Sequence, residues 1–140
     1  MSDLERRPRR ILVAFDGTPE ATRALGLAAD LAAGTGAEVG IVSVVPVGLG
    51  PPADDPWSAR SEHAAELHSA EEALAARGLR ATTHEPTGDA GPLIVRVARE
   101  FGYDLIVVGS RQLDPLRRAL LGSVSSYVVR HADASVLIAR

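Results

Sequence analysis

Two stretches of this chain are apolar without interruption, Ile11-Leu12-Val13-Ala14-Phe15 and Leu105-Ile106-Val107-Val108. A strand with one face in water alternates polar and apolar residues, whereas a strand covered on both faces does not. Both runs are far shorter than the roughly 20 residues of a membrane-spanning helix. They end sharply, at Asp16-Gly17 and at Gly109. They read as central strands of a parallel sheet, which must then carry helices on both of its faces.

The intervening sequence supplies those helices. Thr18-Pro19-Glu20 is a helix start, with a capping hydroxyl, a proline at the first position and an early acid. Leu25, Ala28, Ala29 and Ala32 give its buried stripe, and Gly34 and Gly36 end it. A second strand runs through Val39, Ile41, Val42, Val44 and Val45 to Pro46. Pro46 to Trp57 holds four prolines and two glycines and reads as a surface loop. A helix from near Ser58, with Ala64, Leu67, Glu71 and Leu74 at helical spacing on a largely charged segment, closes at Gly78. A third strand covers Leu79 to Glu85. The third helix opens at Asp89 to Pro92, buries Leu93, Ile94, Val97, Ala98 and Phe101 on one face, and ends at Gly102. After the fourth strand comes an irregular stretch to Leu121, then a helix bearing Val124, Tyr127 and Val128, then a final strand, Ser135 to Ala139. The order βαβαβαβαβ with right-handed crossovers gives a doubly wound, five-stranded parallel sheet of strand order 3-2-1-4-5. Residues 1–9 are expected to form a flexible arm and 10–140 a single domain.

Composition then narrows the chemistry. The 140 residues contain no cysteine, which removes disulfides, thiolate zinc sites and thiol nucleophiles. All 15 basic residues are arginine, so the lysine of a P-loop is absent, and no G-x-G-x-x-G follows a strand. A net charge of −3 argues against a general nucleic-acid binder. Arg6, Arg7, Arg9 and Arg10 precede an apolar run too short for a signal-peptide core, so a cytoplasmic location with no membrane partner is expected. His63, His68, His84 and His131 lack metal-ligand spacing and are read as structural or surface residues. No serine stands in a G-x-S-x-G elbow.

In an open sheet wound this way, ligands bind beyond the carboxyl ends of the strands where the winding reverses, between the first and fourth strands. The segments leaving those ends are Asp16-Gly17-Thr18 and Gly109-Ser110-Arg111-Gln112. Gly122-Ser123-Val124-Ser125 opens the fourth helix, whose unpaired N–H groups and positive dipole end favour phosphate. Plainer roles exist for each residue: Asp16 ends a strand, Thr18 caps a helix, Gly109 and Gly122 are turn and cap glycines, and Arg111, Arg117 and Arg118 are solvated charges. Their joint placement at one crevice favours a ligand. The last strand, Ser135 to Ala139, lies at a sheet edge that a second copy of the chain would cover, unless the N-terminal arm shields it.

Gly109 to Ser123 resembles the signature of the universal stress protein family, G-x-x-G, nine residues, then G followed by Ser or Thr. Val-Val-Gly-Ser-Arg, Leu-Leu-Gly-Ser-Val, the Asp-Gly after the first strand and the closing Ser-Val-Leu-Ile-Ala are similar to the family as well, and the likeness spans Arg10 to Arg140. It implies a Rossmann-like fold of the adenine nucleotide alpha hydrolase type and a homodimer joined through Ser135 to Ala139. It also implies a regulatory role in the stress response, with ATP and magnesium as ligand. Gly109, Gln112, Gly122, Ser123 and Ser125 would line the ribose and triphosphate, with Arg111 and Val124 among them. Asp16 would lie beside the nucleoside or help hold the magnesium ion, and Val44 would contact adenine, with Ala14 nearby.

Two positions depart from the pattern. Gln112 replaces the second glycine, and if that position needs positive φ the cost is on the order of 1–2 kcal/mol, a roughly five- to thirtyfold weaker site. Ser43 stands where many relatives carry histidine, so that imidazole is missing. Gln112 keeps a second reading open, a dimeric interaction module that has lost nucleotide binding. A slow ATPase is a third, with Asp16 its only candidate general base.

Overall fold

The computed structural model describes residues 6–48, 59–110 and 122–140. Its elements are β1 (Arg10–Ala14), α1 (Pro19–Thr35), β2 (Glu38–Val42), α2 (Ala59–Ala75), β3 (Ala81–His84), α3 (Ala90–Glu100), β4 (Leu105–Gly109), α4 (Ser123–His131) and β5 (Ser135–Ala139). All strand pairs are parallel, in the order β3-β2-β1-β4-β5. The doubly wound sheet expected from the two apolar runs is therefore present, with β1 at its centre and β4 beside it. Alternate residues of β1 feed two cores: Ile11 and Val13 pack with α1 and α2, while Leu12 packs with α3 and α4. Each inner strand is buried on both faces, which is why its sequence shows no polar alternation.

The helix caps follow local chemistry. Thr18 is the N-cap of α1, its hydroxyl accepting the Ala21 N–H at 3.2 Å, and Gly36 closes the helix at φ 75°. Element ends are where the structure departs from expectation. The Leu79 N–H donates to the Leu74 carbonyl, so Leu79 closes α2 and does not begin β3. The β2–β3 ladder stops at Val42 and His84, because Pro86 has no N–H with which to extend it, and Val45 survives only as an isolated bridge to Thr87. Phe101 is 49% exposed, a correction to its expected place on the buried face. It caps α3 at φ −103° and lies against the His84 ring at 4.5 Å. Tyr103, 5% exposed, fills the core instead, its ring resting on Gly40 and its hydroxyl 2.8 Å from His84 Nε2.

Candidate functional site

The chain winds from β1 outward to β2 and β3, then returns to β4 on the other side of β1. The loops leaving β1 and β4 consequently diverge, and the crevice between them lies where doubly wound sheets bind ligands. On the β1 side, Asp16 is exposed, and its Oδ1 accepts the Thr18 N–H at 3.1 Å and the Thr18 hydroxyl at 2.5 Å. With its proton on Asp16, the Thr18 oxygen offers a lone pair to Ala21. The helix cap and the acid are thus one unit, so Thr18 has the capping role and Asp16 retains Oδ2 as an acceptor at the mouth. Ala14 and Val44 are half-buried against the α3/α4 core.

On the β4 side, Gly109 has a packing role besides its place at the crevice. A Cβ there would lie 2.6 Å from the carbonyl carbon of Glu20 and 2.7 Å from its oxygen. Only a hydrogen in that place lets the first turn of α1 settle onto the end of β4. Ser110, 6% exposed, continues the ladder by donating its N–H to the Ala139 carbonyl at 2.8 Å. Arg111 and Gln112, like Arg117 and Arg118, lie outside the described residues.

A helix connecting two parallel strands starts at the carboxyl end of the first, so α4 points its N-terminus at the crevice. Gly122 is its N-cap, at φ −65° and ψ 167°, and makes no side-chain cap. The Gly122 carbonyl accepts the Ser126 N–H at 2.9 Å and the Ser125 hydroxyl at 3.1 Å. The amides of Ser123, Val124 and Ser125 precede the first intrahelical bond, so with the dipole they form an anion-attracting end. Ser123 and Val124 are exposed, whereas Ser125 is buried.

Two residues at this end of the sheet carry no warning in the sequence. His63 Nε2 lies 3.0 Å from Ser43 Oγ, and the Glu66 carboxylate lies against Gly17, which holds φ 79°. Position 43 itself carries no imidazole, as its serine shows, but α2 brings a different one, that of His63, to the Ser43 hydroxyl. No spacing rule links residues 20 positions apart, so only tertiary packing reveals the pair. At the opposite end of the sheet a separate cavity of about 910 Å³ is lined by residues that include Arg6, Arg9, Arg99 and Asp104. Among the described residues no group of three or more potential metal ligands occurs, and no helix is long and apolar enough to cross a membrane.

The model of the universal stress protein family matches residues 8–140. This chain belongs to that family. A universal stress protein of Staphylococcus epidermidis is 32% identical over 139 residues, covering 94% of this chain and 84% of that one. The Bacillus subtilis universal stress protein YxiE is 40% identical over 74 residues, covering 53% of this chain and 50% of that one. Among solved structures, a universal stress protein in complex with cAMP is 28% identical at TM-score 0.76, with 96% of this chain and 98% of that one covered. UspA from Lactobacillus plantarum gives the same identity and TM-score over 97% and 100%.

Proposed function

We propose that this universal stress protein is a regulatory module of the stress response, cytoplasmic, that binds an adenine nucleotide, ATP with magnesium, between the ends of β1 and β4. The observation that carries the reading is the α4 N-terminus, whose Gly122 leaves the first-turn amides without a side-chain cap at the place where such sheets bind ligands. The adenine class is supported by the relative solved with cAMP. In this reading Gly109, Arg111, Gln112, Gly122, Ser123, Val124 and Ser125 surround the ribose and phosphates, while Ala14 and Val44 adjoin the base. Asp16, exposed and with one oxygen uncommitted to the turn, fits a magnesium ion, which binds through one or two carboxylates together with substrate phosphates. Magnesium bound there would neutralise phosphate charge. Catalysis is not part of the proposal. The same reading includes a homodimer in which two copies meet at β5.

The test is isothermal titration with millimolar ATP and magnesium. Binding is expected, and if position 112 needs positive φ, Gln112→Gly should strengthen it about five- to thirtyfold. Absence of heat from both proteins would sink the proposal and favour the dimeric interaction module, the alternative that Gln112 motivates.

A further inference from the structure

Helix α2 divides into two halves with different duties. Among its described side chains the core anchors are Leu67, Ala70 and Leu74. Beside them Glu71 accepts a hydrogen bond from the Thr83 hydroxyl at 2.9 Å. The preceding turn, residues 61–66, has no buried residue, so the core does not explain its position. Two of its side chains nevertheless turn inward onto strand ends. His63 reaches Ser43, whose residue is only 2% exposed, at 3.0 Å. Glu66 presses its carboxylate against Gly17, where a Cβ would lie 2.5 Å from it. His63 and Glu66 are three residues apart and share one helix face, while Ser43 and Gly17 leave the neighbouring strands β2 and β1. This turn of α2 therefore stands over the strand ends.

We propose that His63 is a nucleoside-contacting residue, with Ser43 as its positioning residue. The inference rests on the nucleotide reading above and extends it to the identity of one wall. The Ser43 hydroxyl engages Nε2, which fixes the ring, and among the described residues no partner holds Nδ1, so Nδ1 and a flat face are offered to a ligand. An imidazole face stacks on a nucleobase. The charges on either side set the ligand's direction. Glu66 repels phosphate from the α2 side, and the α4 N-terminus attracts it on the other, so the base and ribose turn toward His63.

The test uses the full chain with adenosine, AMP and inorganic phosphate as probes. Adenosine and AMP should shift the His63 ring resonances in NMR spectra, and phosphate should not. His63→Ala should weaken adenosine and AMP by the same factor, about five- to 150-fold, the range measured for one base–aromatic stack. His63→Phe should restore most of that loss, and Ser43→Ala should cost less than His63→Ala. Failure of the wild-type chain to bind adenosine or AMP would overturn the nucleotide reading, and this inference with it. Wild-type binding with an unmoved His63 ring, or unchanged affinity in a folded His63→Ala protein, would overturn the His63 assignment alone. So would a loss that extended equally to inorganic phosphate.

Discussion

At the scale of single residues, positions that look interchangeable from sequence are constrained by what lies against them. Gly109→Ala should destabilise the protein by about 2–4 kcal/mol, because the added methyl meets the backbone of Glu20, which cannot move without lifting α1 from the sheet. Urea denaturation checks this, and a change under 0.5 kcal/mol would show that the contact relaxes. His84 offers a pH-dependent counterpart. Burial, and secondarily the Arg10 charge, lower its pKa below the ordinary 6.5, which fits a neutral ring accepting the Tyr103 proton. A lowered folded-state pKa means the unfolded chain takes up the proton first. The His84 contribution to stability is thus complete above about pH 6.5 and is lost as pH falls through the lower folded value. Thermal melts should show a steeper decline from pH 7 to pH 5 for the wild type than for His84→Gln, and parallel curves would refute the assignment. His84 is one of four histidines expected in structural or surface roles, and its partner Tyr103 follows from no local pattern.

At the scale of elements, the N-terminus of α4 sets stability and ligand affinity against each other. Gly122 adopts an ordinary φ of −65°, and a Cβ there meets nothing closer than Ser125 Oγ at 3.7 Å, so a side chain fits. Gly122→Asp should place a carboxylate on the first-turn amides. Melting temperature should hold or rise, consistent with a few tenths of a kcal/mol for an added cap, while nucleotide affinity should fall at least tenfold because the amides and the charge they attract are already taken. A variant that lost stability and kept its affinity would contradict the proposed role of α4. This element was legible in outline from Val124, Tyr127 and Val128, of which only Val128 is fully buried while Val124 is 38% exposed. Its helical period was readable, but which side meets the sheet was decided by α3, whose Gly91 admits the Tyr127 ring.

At the scale of the whole molecule, β5 has one partner strand among the described residues and an open side opposite it. Ser135 donates its N–H to Asp104, and Ala139 accepts from Ser110, so these residues turn their main chain toward β4. Parallel pairing alternates direction along the strand, which aims the N–H groups of Val136 and Ile138 at the open edge. Proline is tolerated where a strand's N–H faces outward. Val136→Pro should accordingly leave the domain folded and convert the proposed homodimer to a monomer. Light scattering after gel filtration should give twice 14.7 kDa for the wild type and 14.7 kDa for the variant. A wild type of 14.7 kDa would remove the dimer from the proposed function.

The amino-acid sequence by itself determined the layered fold and the end of the sheet at which a ligand is to be sought. Both depend on local properties: unbroken apolar runs, caps and glycines spaced to alternate strand with helix. The tertiary structure decided what those properties do not encode, namely that Gly109 is a seat for α1, that Phe101 stays out of the core while Tyr103 enters it, and that α2 carries an imidazole to Ser43. Each is an approach between segments distant along the chain, set by how helices of given length and tilt come to rest on a twisted sheet, and no residue pattern within one segment records where its neighbour will lie.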